Sequence, residues 1–291
     1  MLKKLFCFTV LSLLVISFSH SASNDTFEFK VGNVSVTAIA DSTVEMQSEL
    51  IKNANAEELI KYMPEGKKKA SVNVFLVKTG KQIILIDAGM GDGGKLISVM
   101  KKLGITPDMV NLILITHGHF DHVAGLIKNG KAVFPNAEIM ISKEEKPVYE
   151  DSGLEKIPAE YKKYFIPANQ MLKLYSAKIK TFSLGGKVAD GITSVDMRGH
   201  TPGHSGFLLE SNGEKLLFAG DFMHIQSVQL IHPEYSLVYD TDLEKAAKMR
   251  KKLLKKLAND KINVAAAHID FPGVGSISKT SDGFSFTPLK K

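Results

Sequence analysis

The stretch Thr116-His117-Gly118-His119-Phe120-Asp121-His122 constrains this chain more than any other. It sets three histidines and a carboxylate within six positions, directly after the apolar run Leu112-Ile113-Leu114-Ile115. That run reads as a buried strand. Three imidazoles and a carboxylate on one turn cannot all pack as core, because a buried polar group without a partner costs about 2–7 kcal/mol. They need water, charge partners or a metal, and a site for two metal ions accounts for all four. Alternation along an extended segment puts His117 and His119 on one side. Asp121 and His122 then turn the other way, so each pair can grip one ion. Imidazole and carboxylate suit Zn²⁺, Mn²⁺, Fe²⁺ or Co²⁺ and do not single one out. A short helix expected over 123–128 brings a positive dipole end close to Asp121.

The chain has 291 residues, 44% of them hydrophobic, enough for one large core or two small ones. Its formal charge is only +6, which does not argue for nucleic acid. Lys3-Lys4, the apolar run from Leu5 to Phe18 and Ser19-His20-Ser21-Ala22 have the layout of a secretory signal, cleaved after Ser21 or Ala22. The apolar run is shorter than the ~20 residues of a spanning helix. The expectation is therefore a leader over 1–22, a mature chain over 23–291, no membrane anchor after cleavage, and a periplasmic or secreted location. Cys7, the single cysteine, lies in the leader, which leaves the mature chain with neither a disulfide nor a thiolate ligand.

Phe27–Val31 and Val34–Ala40 flank Gly32-Asn33 as a hairpin, and Val72–Lys78 and Gln82–Asp87 flank Gly80-Lys81 as a second. Helices are expected over Ala56–Tyr62 and Gly94–Leu103, and a strand over Ala137–Ile141. The segment from Ser142 to Ser176 is rich in Lys, Glu and Pro and resembles an insertion or lid more than core. Strands resume at Ile179, Ile192, Gly206 and Lys215. Thr241–Ala258 is the clearest helix, with Thr241 and Glu244 at capping-box spacing. Leu243, Ala246, Ala247, Leu253, Leu254 and Leu257 fall near one face, and Lys248, Arg250, Lys251, Lys252, Lys255 and Lys256 are expected on a solvated outer face. No repeat, low-complexity tract or dividing linker is visible. Strands followed by helices, twice over, suit two mixed sheets facing each other with helices outside.

Three further candidate ligands end apolar runs or sit in glycine-bearing loops: His200 in Gly199-His200-Thr201-Pro202-Gly203-His204-Ser205, Asp221 after Leu216-Leu217-Phe218-Ala219-Gly220, and His268 after Val264-Ala265-Ala266-Ala267. With Leu85-Ile86-Asp87-Ala88-Gly89, this set resembles the metallo-β-lactamase-fold hydrolases from about Val34 to the C-terminus. The resemblance implies an α+β fold, the four-layer αβ/βα sandwich, with His117, His119 and His200 on one ion, Asp121, His122 and His268 on the other, and Asp221 bridging. It implies two divalent cations, zinc first, with manganese, iron or cobalt as alternatives. Asp87 is either a residue orienting a ligand imidazole or a strand-end turn residue.

His268 to Gly275, Asp282 to Pro288, Val133 to Ala137 and Gly220-Asp221-Phe222-Met223-His224 resemble the methyl parathion hydrolase-like branch. Acyl-homoserine lactonases of this fold tend to carry tyrosine where this chain has His224, and true β-lactamases generally lack the bridging aspartate. Gly118 departs from the bulkier apolar residue usual between the first two histidines. The reaction implied is hydrolysis of an ester, lactone or organophosphate by a hydroxide held between two ions, with Asp121 and His224 as catalytic candidates. His224 would contact the substrate, protonate the leaving group or serve structurally. His204 and Ser205 would shape the loop around His200. The partner is a small-molecule substrate, not nucleic acid, and a homodimer is an open arrangement. The alternatives are a thioester hydrolase of the glyoxalase II kind and a non-catalytic metal-binding module. Gly89-Met90-Gly91-Asp92-Gly93-Gly94 also fits a dinucleotide-binding loop, but its strand is the second arm of a hairpin.

Overall fold

The computed structural model describes residues 24–290, so the expected leader, with Cys7 and His20, lies outside the described residues. Seven strands lie side by side in sequence order in a first sheet: β1 (Thr26–Val31), β2 (Val34–Gln47), β3 (Lys67–Lys78), β4 (Ile83–Ile86), β5 (Leu112–Leu114), β6 (Glu138–Ser142) and β7 (Ile179–Phe182). The β1 to β4 neighbours are antiparallel, and β4–β5, β5–β6 and β6–β7 are parallel. A second sheet repeats the pattern with β8 (Lys187–Ala189), β9 (Ile192–Asp196), β10 (Ser205–Ser211), β11 (Glu214–Phe218), β12 (Asn263–Ala265), β13 (Val274–Lys279) and β14 (Phe284–Pro288). Only its β11–β12 pair is parallel.

The wholly apolar strands are explained by burial on both faces. Phe75, Ile84, Ile86, Leu112 and Leu114 meet Phe207, Leu209, Leu216 and Phe218 between the sheets. The Phe75 and Phe218 ring centres stand 5.5 Å apart. Their alternating neighbours Val74, Leu76, Leu85 and Ile113 face outward and are covered by helical residues. These are Leu96, Val99 and Met100 of α2 (Leu96–Lys102), and Ala168 and Met171 of α6 (Ala159–Leu174). On the other flank, after the short α7 (Gln226–Gln229), Leu253, Leu254 and Leu257 of α8 (Leu243–Asp260) pack on Leu217, Val264 and Ile277. Helix, sheet, sheet and helix form the expected four layers. Helix α1 spans Ala56–Tyr62, as the sequence indicates.

Four local expectations are corrected. The helix after the histidine cluster is α3 (Phe120–Val123), with Asp121 and His122 inside it. It gives way to a 3₁₀ turn at Ala124–Leu126 and extended chain at Ile127–Lys128, so the helix expected over 123–128 is absent. The segment from Ser142 to Ser176 folds as α4 (Lys146–Tyr149), α5 (Asp151–Leu154) and α6, and contributes Tyr149, Ala168, Met171 and Tyr175 to the core. The cap of α8 is Asp242, whose side chain accepts from the Lys245 amide, while the Thr241 hydroxyl donates to the His200 carbonyl. Arg250 is fully buried instead of solvated.

The glycine-rich loop after β4 is folded around the chain's own acid. The Asp41 carboxylate accepts from the amides of Met90, Lys95 and Leu96 at 2.7–2.9 Å. A Cβ on Gly89 or Gly94 would stand 2.3 or 2.2 Å from it. Asp41 occupies the start of α2, where a dinucleotide phosphate would be held, and this removes the nucleotide reading.

Candidate metal centre

The ends of β4, β5, β6, β11 and β12 open onto one edge of the sandwich, the position where α/β sheets present functional groups. The segments leaving them carry Asp87, His117, Glu145, Asp221 and His268, and the β9–β10 loop adds His200. The structure brings all seven predicted ligands together. His117, His119, His200 and Asp221 form one group with donor atoms within 4.8 Å of one another. Asp121, His122 and His268 form a second, and Asp221, His224 and His268 a third. Nε2 of His200 lies 3.2 Å from Nε2 of His117 and 3.0 Å from Nδ1 of His119. The Oδ1 atom of Asp221 is 3.0 Å from His122 Nε2. Its Oδ2 is 3.1 Å from His268 Nε2, 3.4 Å from His200 Nε2 and 3.6 Å from His117 Nε2.

These contacts fit a bound cation. A backbone carbonyl can only accept, so His268 Nδ1, 2.8 Å from the Ser71 oxygen, carries the ring proton. In the neutral ring, Nε2 then presents a lone pair to the carboxylates of Asp221 and Asp121. Only a cation between them, or a second proton, makes that attractive. His122 Nε2 and Asp221 Oδ1 are buried and, although 3.0 Å apart, make no well-formed hydrogen bond with each other or with any other described residue. Burial opposes charge on His268, but Asp221 and Asp121 outweigh it and push its pKa up to about 10. Burial likewise opposes charge on His200, and Asp221 and Asp240 push it up to about 9. The donor set thus draws positive charge, as a centre for divalent cations must.

Outer contacts fix the rings. Asp87 accepts from His122 Nδ1, the Thr116 amide and the Thr116 hydroxyl, each at 2.8 Å, and therefore orients an imidazole. Asp240 stands 2.8 Å from His200 Nδ1 and accepts from the buried Arg250. His204 is held at Met197 O through Nδ1 and accepts the Asp221 amide at Nε2. Burial, then His200, lowers its pKa to about 3, which keeps it neutral for that task. Ser205 donates to the Gly203 carbonyl within the same loop. His224 places Nε2 3.1 Å from Asp221 Oδ2, and its ring stacks on His268.

Sequence reasoning missed Asp240, Arg250 and Glu145. Glu145 is completely buried, and its carboxylate accepts from Gly118 N, Tyr149 OH, Thr201 Oγ1 and Gly203 N at 2.7–3.1 Å. It thereby ties the His117–His119 loop to the His200 loop. The same neighbourhood explains Gly118: a Cβ there would stand 2.3 Å from the Tyr149 ring. Glu145→Gln supplies an amide where two donors need an oxygen. It is expected to cost about 2 kcal/mol and to loosen both loops, read as a lower urea midpoint with an unchanged m-value.

This fold and this donor set define a metal-dependent hydrolase framework. The chain belongs to the metallo-beta-lactamase superfamily, whose profile matches residues 69–268. An N-acyl homoserine lactonase of Bacillus sp is 28% identical over 161 residues, 47% of this chain and 57% of that protein. The chain thus spans little more than half the length of that relative. Among solved structures, hydrolase AbOPH of the beta lactamase superfamily is 32% identical with a TM-score of 0.85, covering 92% of this chain and 98% of that one. AidC, a dizinc quorum-quenching lactonase solved with a product, is 26% identical with a TM-score of 0.84, covering 91% and 98%.

Proposed function

We propose that this protein is an exported hydrolase that binds two divalent cations and opens esters or lactones, with organophosphate triesters as a side activity. One observation carries the reading: Asp221 lies between two histidine-bearing groups, with Oδ1 toward His122 and Oδ2 toward His117, His200 and His268. His117, His119 and His200 would hold one ion and Asp121, His122 and His268 the other, with Asp221 shared and zinc the first candidate. Two such cations supply an activated water near neutral pH and polarise a substrate oxygen. His224, beside Asp221 and His268, is placed to contact the substrate or its leaving group. The lactonase relative and the dizinc lactonase neighbour support lactones. An apolar rim supports substrates with an apolar arm: Phe165 lies 5.7 Å from the His119 ring, and Phe120, Tyr161 and Tyr164 are exposed nearby in sequence. The leader-like residues 1–22 support export, which N-terminal sequencing of the mature protein checks.

The test is metal analysis followed by a panel of lactones, aryl esters, thioesters and phosphotriesters. The expected result is two metal ions per chain, fastest turnover of lactones or aryl esters, and loss of activity with a chelator. Full activity after the metal is stripped overturns the proposal, and thioesters as the best substrates would replace it with the glyoxalase II-like reading.

Loading should also depend on pH. The pKa values of His200 and His268 are raised above the ordinary value of about 6.5. Their protons stabilise the metal-free fold fully below pH ~6.5, and that contribution is lost as pH rises through about 9 and about 10. Thermal scans of the metal-free protein should therefore show Tm falling from pH 7 to 10 (~3 units, spanning both groups). Metal affinity should rise over the same window, because fewer protons compete. A metal-free Tm that climbs across this range would contradict the assignment.

A further inference from the structure

The rings of His122, His200 and His268 are each gripped at Nδ1, by Asp87, Asp240 and the Ser71 carbonyl, all at 2.8 Å. His224 has no such grip. Its Nδ1 is shut from water and has no hydrogen-bond partner among the described residues, while its Nε2 stands 3.1 Å from Asp221 Oδ2. Its ring rests against those of His200 and His268, with centres 4.9 and 5.1 Å away. The χ2 torsion of a histidine is broad, so the aim of this imidazole has to come from the main chain that carries it. One buried side chain holds that main chain. Gln229, the last residue of α7, is fully buried, and its Oε1 accepts from the amides of His224 at 2.7 Å and Ile225 at 3.1 Å. The helix thus reaches back over its own start, as in a capping box with the acceptor one residue later. His224 and Ile225 are themselves buried, and Gln229 is the acceptor of both amides among the described residues. At its other end Gln229 Nε2 donates to the Tyr235 carbonyl at 2.9 Å. That carbonyl also accepts from Arg250, which takes the Phe222 carbonyl as well. With His204 on the Asp221 amide, the turn from Asp221 to Ile225 is fastened by three buried side chains.

We propose that Gln229 is a positioning residue for His224: by holding two successive amides it fixes the turn from which the imidazole projects, and so keeps Nε2 beside Asp221. It does for His224 through the main chain what Asp87 does for His122 through the ring. This rests on the hydrolase reading for the role of His224 at the substrate, and goes beyond it in naming the residue that sets its aim. Gln229 makes no hydrogen bond to the side chain of any of the seven candidate ligands, so its effect on the reaction should pass through His224 and leave metal binding alone.

The experiment is a double-mutant cycle on the metal-loaded protein. Gln229→Met keeps the reach of the side chain and removes both polar atoms. Gln229→Asn keeps the amide, withdraws it by one methylene, and carries the test if Gln229→Met does not fold. Each is made in the wild type and beside His224→Phe. In the wild type each Gln229 change is expected to lower kcat for the best ester or lactone about tenfold, with KM and metal content unchanged. Beside His224→Phe the same change should move kcat by less than about twofold, because the group it aims is gone. A tenfold loss that persists without His224, or no loss in its presence, overturns the proposal. Metal-free protein labelled with ¹⁵N in its histidines gives a readout without turnover. The His224 ring signals, identified by their loss in His224→Phe, should shift or broaden in the Gln229 variants. Those of His204, held at both ring nitrogens, should stay in place. Unmoved His224 signals overturn the positioning role. If no ester or lactone is turned over by the wild type, the hydrolase reading fails, and the ring signals alone decide whether Gln229 sets His224.

Discussion

Asp221→Ala is expected to lower kcat/KM for lactone or aryl-ester hydrolysis about a thousandfold or more, with far-UV circular dichroism unchanged. Polarisation by a bound cation is worth several kcal/mol of transition-state stabilisation, and about 1.4 kcal/mol is tenfold in rate. Asp221 stands at the junction of both halves of the centre. It lies between His122 on one oxygen and His117, His200, His224 and His268 on the other. Its removal leaves five imidazoles facing each other without the carboxylate that makes their assembly favourable. His122, His200 and His268 gain positive charge from Asp221 despite burial, so the loss should also lower metal content below two ions per chain. The backbone of Asp221 stays held by His204 Nε2 and needs no side chain, so the fold should survive. Metal analysis and steady-state kinetics on the same sample check both halves. Wild-type turnover in a purified variant would remove Asp221 from the mechanism.

The candidate ligand residues were legible in the sequence because they interrupt apolar strands at their ends. Leu112–Ile115, Leu216–Ala219 and Val264–Ala267 are each buried, and each is followed within two residues by a histidine or aspartate. A buried strand has nowhere to put such a residue except at its end. The residues that hold the ligands in place were not legible in the same way. Glu145 sits in Lys143-Glu144-Glu145-Lys146, a run that looks solvated, and only the approach of the Gly118 and Gly203 loops makes it a buried acceptor. Gly118 was visible as a departure, but its cause, the Tyr149 ring, lies 31 residues away in a segment that reads as a lid. Arg250 did carry a signal. It falls with Ala246, Leu253, Leu254 and Leu257 at helical spacing, on the apolar face of α8 and away from the lysines. An arginine on that face has to find acceptors inside the fold.

Arg250→Ala should therefore be among the most destabilising changes on the protein, although it lies on a helix crowded with lysines. The Arg250 guanidinium donates to the carbonyls of Phe222, Pro233 and Tyr235 at 2.7–2.9 Å and to Asp240 at 3.5 Å. Burial disfavours its charge and holds its pKa below the ordinary arginine value, and Asp240 offsets this only in part. Removing one partner of a buried ion pair costs about 3–5 kcal/mol, which for a chain of this size corresponds to a Tm lower by about 10 °C. Lys252→Ala, on the exposed face of the same helix, should stay within about 0.5 kcal/mol of wild type. The effect should reach the metal centre through one contact. Asp240 uses Oδ1 on His200 and Oδ2 on Arg250 and the Leu237 amide. An Asp240 without Arg250 keeps only the Leu237 amide on Oδ2 and tilts more readily, and with it the His200 ring. Asp240→Asn keeps the shape, weakens that grip, and should lower metal affinity about 10–100-fold, as for other residues that orient a ligand imidazole. In a double-mutant cycle the two changes should be strongly non-additive, because each disables the same strut. Strictly additive losses of stability and metal affinity would mean that Arg250 serves only the packing of α8 and has no part in holding His200.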